Sequence, residues 1–388
     1  MSRRWIVSQI GARQHYAPAR AMHVRGRLER LYTDIWGGAR RHPAIPRDHV
    51  TAFNAGAMVR LLWSRRRRTH SAASYLDFIA TGQWFGRRVA GDLQKRQLDP
   101  ASHAALLFST GALETAQLLK SRGVPCLVDQ IDPGRVEEDI VLAECQKWPG
   151  WQPTPVRIPD AYHARLGSEW ATADGVLVNS QWTKHALVQQ GVAADKIAVV
   201  PIAYGSPVAA SPRPLRKDSP LHVLWLGQVI LRKGIPYLFE AAKQLQGQNV
   251  RFTVAGWVGI SETALASTPS NVQVVGPVPR DRTGRLYRDA DVFVLPTLSD
   301  GFAITQLEAM SHGLPVIATD RCGEVVTDGV DGLVIPPADA TALANAIATL
   351  AHDRDRLAAM STAALAKATQ FTLDRFAAGL DAAIAGIA

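Results

Sequence analysis

The stretch VFVLPTLSDGFAITQLEAMSHGLPVIATD, residues 292–320, decides how the chain is read. It opens on an apolar run of aromatic and β-branched residues, the pattern of a strand buried on both faces. A turn containing Gly301 follows, then a segment of helical periodicity, then a second apolar run at Pro315–Ala318. Strand, helix, strand in that order predicts a β-α-β unit of a parallel sheet. Gly301 and Phe302 then lie at the carboxyl end of the strand and the start of the helix. There the free backbone N–H groups and the helix dipole make an anion or hydroxyl site. Asp300 precedes this turn, and Glu308, eight residues on, is about two helical turns away, so both carboxylates can project toward one cleft. Asp300 also suits an N-cap. Capping alone accounts for neither the Gly-Phe turn, nor Glu308, nor the return strand.

Outward from this unit the same alternation fills most of the chain. Strands are expected at 5–8, 104–108, 125–129, 175–179 and 197–200, and again at 222–226, 251–255, 272–275, 291–295, 315–318 and 332–335. Helices are expected from about His15, Ala112, Val136 and Trp182, between the later strands, and as three Ala-rich helices after Asp339. Residues 45–100 fit the alternation poorly, and two of their segments read as helices with an aromatic and aliphatic side and an Arg side. The segment SPVAASPRPLRKDSP, residues 206–220, has no apolar periodicity and reads as a linker. The expected organisation is therefore α/β, with two Rossmann-like domains whose parallel sheets face each other across a cleft. The boundaries are 1–205, linker 206–220, 221–370, and a last helix, 371–388.

A second motif is LWLGQVILRKG, residues 224–234. A strand ends at Gly227, and Arg232, Lys233 and Gly234 introduce the next helix. A planar guanidinium, an ammonium and the free N–H groups of a helix start form a site for a diphosphate. A solvated basic turn is the simpler alternative for this motif taken alone; its register with the 299–320 motif favours the phosphate site.

Together these motifs resemble the retaining glycosyltransferases of family 4, with the GT-B fold, a group that includes glycogen synthases and mannosyltransferases. Their hallmark resembles EGFGxxxxEAMAxGxPV, matched here by DGFAITQLEAMSHGLPV, residues 300–316; their GRLxxxKG segment is matched by LWLGQVILRKG. VAGWVG (254–259), the 271–297 segment and EVVTDGVDGLVIPP (324–337) follow in the family's order. The resemblance covers about 170–388 well and 1–170 loosely. It implies transfer of a sugar from a UDP-, GDP- or ADP-sugar to a hydroxyl of a glycan, glycolipid or small molecule, with retained configuration. No metal or other cofactor is implied. Carried over, Arg232 and Lys233 neutralise the diphosphate, with Gly227 before them. Asp300, Gly301, Phe302, Ala303 and Ile304 surround the sugar, Glu308 holds the ribose, and Gly276–Val278 covers the base. Asp300 departs from the usual Glu by one methylene. The last helix is expected to brace the first domain, and closure about the linker to assemble the site. The alternatives are a GT-B phosphorylase or epimerase and a non-catalytic nucleotide-sugar-binding protein. A dehydrogenase is disfavoured because no GxGxxG follows either opening strand.

In the first half, Gly11 in SQIGARQHYAP sits where backbone can approach the diphosphate, and Arg13, His15 and Tyr16 are candidates for the acceptor side; a structural turn is the alternative. In CLVDQIDPG, residues 126–134, Asp129 and Gln130 stand where many relatives carry a catalytic His. Asp132, before Pro133, is an acceptor-side candidate or a turn former.

The composition bounds these readings. With 388 residues, 47% hydrophobic and 20% charged, the chain is that of a globular protein with room for two domains. No run is long enough to span a membrane, and the N-terminal apolar run suits a buried strand rather than a signal peptide. Three scattered cysteines (Cys126, Cys145, Cys322) form neither a disulfide framework nor a metal site, which suits a cytoplasmic setting. The net charge is +9, but residues 1–100 hold 19 Lys and Arg against 6 Asp and Glu, a balance of +13, leaving −4 for the rest. Arg65–Arg68, Arg87 and Arg88 lie near Trp63, Trp84 and Phe85. That mixture suits peripheral contact with an anionic membrane, on its inner face, or a solvated basic face over a packed core. No nucleic-acid motif accompanies the charge.

Overall fold

The computed structural model describes residues 3–64, 72–205, 207–211 and 219–387. The Arg65–Arg68 run, the side chain of Trp63, and residues 206 and 212–218 of the expected linker lie outside the described residues.

Among the described residues thirteen parallel strands form two sheets, each with helices on both faces. The first contains β1 (Arg4–Gln9), β2 (Leu28–Thr33), β3 (Val50–Ala52), β4 (His103–Phe108), β5 (Cys126–Asp129), β6 (Gly175–Val178) and β7 (Ile197–Val199), in the order β3-β2-β1-β4-β5-β6-β7. The second contains β8 (Leu221–Leu226), β9 (Val250–Ala255), β10 (Val272–Gly276), β11 (Val292–Leu295), β12 (Val316–Thr319) and β13 (Gly332–Ile335), in the order β10-β9-β8-β11-β12-β13. The strand order reverses between β1 and β4 and again between β8 and β11. In open parallel sheets a crevice opens at such a reversal, outside the carboxyl ends of the strands.

Every expected strand is present within a residue or two. The strands β2 and β3 and the helix Asp160–Thr172 escaped the sequence reading. In β2 the run LERLYT has Glu29 and Arg30 in second and third place, half-buried and tied to Arg4 and Thr51, which breaks the apolar signature. β3 has three residues, too few for any period.

The chain crosses between the sheets twice, and the crossings touch. Ile202 is buried in the second domain's core, and the Tyr204 amide donates to the Phe371 carbonyl at 2.7 Å. The last helix, Leu373–Ala385, buries Phe376, Ala377, Leu380 and Ile384 against the first domain. Arg25 and Arg27 there pair with Asp374 and Asp381. Each such apolar side chain, fully buried, contributes roughly 1.5–3 kcal/mol for the larger types, so the helix is fixed to that domain.

Two carboxyls are fully buried near the strand ends of the first sheet. Glu169 accepts from the amides of Thr110 (2.7 Å), Ala112 (3.1 Å) and Leu113 (3.3 Å), so it fills the N-terminus of the helix Leu113–Ser121. Arg165 holds the Thr110 carbonyl at 2.7 Å, which fixes that β-branched residue at φ 72°. Asp129 has neither arrangement: both carboxylate oxygens are buried without a protein partner. Burial pushes its pKa up to about 7, with Arg13 pulling the other way. The folded chain therefore keeps a proton there that the unfolded chain releases near pH 4, so this group costs stability as pH rises from about 4 to 7. Asp129→Asn removes that dependence. Thermal unfolding at pH 5 and pH 8 should show a wider gap between the two pH values for the parent than for Asp129→Asn, by up to ~3 kcal/mol; equal gaps would mean that Asp129 is ionised throughout.

Candidate functional site

The crevice of the second sheet is set by two glycines. Gly234, at φ +74°, starts the helix Ile235–Gln244, and a Cβ there would stand 1.9 Å from the Pro296 carbonyl oxygen. Only glycine lets the segment after β11 come this close to the segment after β8. That approach aligns the two motifs: the Leu298 amide donates to the Arg232 carbonyl at 2.9 Å, and Arg232 Nη1 donates to the Ser299 carbonyl at 2.8 Å. Lys233 Nζ is ion-paired with Asp300 Oδ2, and Arg232 Nη1 lies 4.0 Å from Asp300 Oδ1. Two cations and one carboxylate therefore share the reversal point of the sheet. The second glycine is Gly301, where a Cβ would stand 1.7 Å from the Ile131 carbonyl oxygen of the first domain. The carboxyl ends of the two sheets thus meet at Gly301 and Ile131-Asp132.

The turn before the helix Ile304–Ser311 differs in part from the sequence expectation. Asp300 is not the N-cap; Ala303 is, without a side-chain cap. The amides of Asp300 and Ala303 already donate to the carbonyls of Arg321 (2.8 Å) and Cys322 (2.9 Å), which leaves those of Gly301 and Phe302 unbonded among the described residues. The Phe302 side chain turns into the core against Phe371, so Phe302 offers a ligand only its backbone. Ile304 is half-buried at the helix start. Glu308 accepts from the Tyr287 hydroxyl at 2.8 Å, and Tyr287 stacks on His312 at 5.1 Å. Gly227 and Gly276 close the strands on either side of β9, their backbones bonded to Ala255 and Gly256, and Val278 follows half-buried.

On the facing domain, His15 is held below its usual pKa, first by burial and then by Arg280 and Arg20, with Glu308 opposing. Arg280 and Glu308 belong to the second domain, so His15 stands across the cleft from the expected ribose site. His15 and Arg13 are exposed, within a turn whose Gln14, His15 and Tyr16 all have left-handed φ (51°, 48°, 57°). Three neighbouring expectations change. Tyr16 is buried against Trp36 at 5.3 Å and faces no acceptor. The Gly11 amide is occupied by Asp34 Oδ1 at 2.8 Å and so is not free for a diphosphate. Gln130 is fully buried and used: its amide donates to the Asp132 carbonyl (3.1 Å) and carboxylate (3.2 Å), and its oxygen accepts from the Trp170 indole (3.2 Å). It positions Asp132 and cannot reach a substrate. Asp132 accepts from the Gly134 amide at 3.0 Å, the bond of a turn former, and senses both Arg13 and Arg232.

Several residues to which the sequence analysis gave no role complete the cleft. Glu137 Oε2 lies 3.2 Å from Arg232 Nη1 and accepts from Ser299 Oγ at 2.9 Å. Ser299 Oγ in turn accepts from the Trp182 indole at 3.1 Å, and the Arg321 guanidinium lies over the Trp182 ring at 4.7 Å. The Gln181 amide donates to both carboxylate oxygens of Glu324 at 3.0 Å. These pairs are separated by more than 90 residues in sequence, so no local spacing reports them. Among the described residues no group of three His, Cys, Asp or Glu is placed to share a metal ion.

Residues 220–353 match the family described as glycosyl transferases group 1. Over 254 residues the chain is 29% identical to a D-inositol 3-phosphate glycosyltransferase of Xylanimonas cellulosilytica, covering 58% of this chain and 60% of that protein. Over 205 residues it is 29% identical to the amylovoran biosynthesis glycosyltransferase AmsK of Erwinia amylovora, covering 48% and 50%. The match thus spans between half and three fifths of these two relatives. Anabaena HepE, solved in complex with UDP, superposes with a TM-score of 0.66 over 99% of both chains at 15% identity. The chain therefore has the GT-B fold, and its second domain matches the glycosyl transferases group 1.

Proposed function

We propose that the protein is a retaining glycosyltransferase that moves a sugar from a UDP-, GDP- or ADP-sugar to a hydroxyl of a glycan, glycolipid or small molecule. The observation that carries this reading is the cation pair Arg232-Lys233 at the reversal point of the second sheet, beside Asp300 and at the start of a helix. The nucleotide diphosphate lies on the pair at the helix start. Glu308 takes the ribose hydroxyls, trading its bond with Tyr287, and the sugar faces Asp300 and the amides of Gly301 and Phe302. The bond from the anomeric carbon to the diphosphate oxygen breaks, and its electron pair leaves with the nucleoside diphosphate. The acceptor oxygen bonds to the same face of that carbon, and its proton passes to the departing phosphate. Charge builds on the leaving oxygens, where Arg232 and Lys233 stabilise it inside a cleft narrowed by Gly301 and Ile131. The two side-chain cations supply the compensation that a metal ion supplies elsewhere.

A peripheral contact with an anionic membrane, on the cytoplasmic side, belongs to the same reading. The helices Asn54–Ser64 and Ala72–Leu93 expose Met58, Val59, Leu76 and Phe78, each about half accessible (49–57%). Arg60, over the Trp84 ring at 5.6 Å, lines a recess with Arg87 and Arg88. Exposed apolar side chains beside arginines suit a surface that is apolar within and negative at its face. No helix among the described residues is long and apolar enough to cross a membrane.

Two outcomes check these assignments. Lys233→Ala should lower kcat/KM for the donor about 10²-fold or more, and Glu308→Ala should raise the donor KM about tenfold, with turnover unaffected by EDTA. Full turnover in Lys233→Ala, or loss in EDTA, would contradict the charge-compensation role. Co-sedimentation at low salt should find the chain on phosphatidylglycerol vesicles and not on phosphatidylcholine vesicles, with Arg87→Glu/Arg88→Glu abolishing binding; equal recovery from both vesicle types would contradict the membrane contact.

A further inference from the structure

Neither cation assigned to the diphosphate is unpaired. Lys233 is matched by Asp300, which comes from its own domain. Arg232 is matched by Glu137, which comes from the opposite domain, on the helix Arg135–Lys147 that begins at the cleft. One oxygen of Glu137 meets both Arg232 Nη1 (3.2 Å) and Ser299 Oγ (2.9 Å), and through Ser299 it joins the Trp182 indole. Burial raises the pKa of Glu137, and Arg232 is the chief opposing influence. The charge of the carboxylate at this depth is therefore favoured by the guanidinium it faces at 3.2 Å.

The contrast with Glu169 is informative. That carboxylate holds three backbone amides that nothing else needs, whereas Glu137 occupies the guanidinium that a diphosphate requires. A diphosphate brought to Arg232 and Lys233 meets Glu137 and Asp300 already there, and like charges at such distances repel. We propose that Glu137 is a built-in competitor for the donor: its carboxylate takes the diphosphate's place on Arg232, latches the two domains together, and is displaced when the nucleotide binds. The Trp182–Ser299 bond shares this node and loosens with it. Part of the donor's binding free energy is then used to break the latch, so that donor occupancy and the relative position of the domains are linked. This inference rests on the diphosphate reading of Arg232 and Lys233.

The experiment is calorimetric titration of the full chain with UDP, GDP and ADP, following the tightest binder, at about 50 mM and about 500 mM salt. Glu137→Gln keeps the shape and removes the charge. It should bind that nucleotide about tenfold more tightly than the parent at low salt, with a smaller gain at high salt. Ser299→Ala, which loosens the carboxylate without touching its charge, should shift affinity the same way by less. Lys233→Ala should bind more weakly. Damage to the fold would lower affinity, so a gain is a readout that a purely structural role cannot produce. If Glu137→Gln binds equally or more weakly while Lys233→Ala still loses affinity, the latch is wrong and the diphosphate site stands. If Lys233→Ala binds as the parent does, the diphosphate site itself is wrong and the latch falls with it.

Discussion

Two positive side chains, consecutive in sequence and held at the point where a parallel sheet reverses its order, are the constraint on which the rest of this molecule depends. Concentrating Arg232 and Lys233 beside a helix start is electrostatically unfavourable unless anions compensate. The structure answers with Asp300 from the same sheet's next strand-to-helix segment and Glu137 from the facing domain. The glycines follow from the same need. Gly234 allows the β8 and β11 segments to touch so that the cations and Asp300 share a site, and Gly301 lets the other domain close over it. Conversely, the helix Leu113–Ser121 of the first sheet has its N-terminus filled by the chain's own Glu169, so the two similar sheets are not equivalent as anion sites.

Closure of the cleft is distributed. Besides Glu137, the Gln181 amide bonds with Glu324, and the ring of Trp182 lies beneath Arg321. At another edge, Trp148 and Trp151 pack against Tyr237 and Phe239 of the second domain, and Lys147 bonds with the Tyr237 hydroxyl at 2.9 Å. At the aromatic edge the charges of Lys147 and Glu144 are held on the Tyr237 hydroxyl, whereas Glu137 is held on the guanidinium assigned to the diphosphate. That asymmetry makes the tryptophan edge suited to act as a pivot and the carboxylate edge as the part that yields. The two chain crossings, joined at Tyr204 and Phe371, leave the last helix fixed to the first domain while its neighbours belong to the second.

Much of this was legible before any coordinates. The strands of both sheets announce themselves as short apolar runs because parallel strands buried on both faces carry little else. The sequence put Arg232-Lys233 and Asp300 on strand-to-helix turns of one domain, and the structure brings their side chains together. What could not be read is of two kinds. β2 and β3 are masked by charged or very short runs. Pairings such as Glu137 with Arg232, or Tyr287 with Glu308, depend on how helices from separate segments pack, and no local period encodes that. Tyr16, Gln130 and the Gly11 amide show the converse error. Polar or aromatic groups near a strand end invite a functional reading, yet burial and existing hydrogen bonds use them within the protein itself.

The most direct test of the account is a crystal structure grown with the nucleoside diphosphate that raises the melting temperature most. The account predicts phosphate oxygens within hydrogen-bonding distance of both Arg232 and Lys233, the ribose on Glu308, and Glu137 withdrawn from the guanidinium. A nucleotide bound elsewhere, with both ion pairs intact, would contradict it.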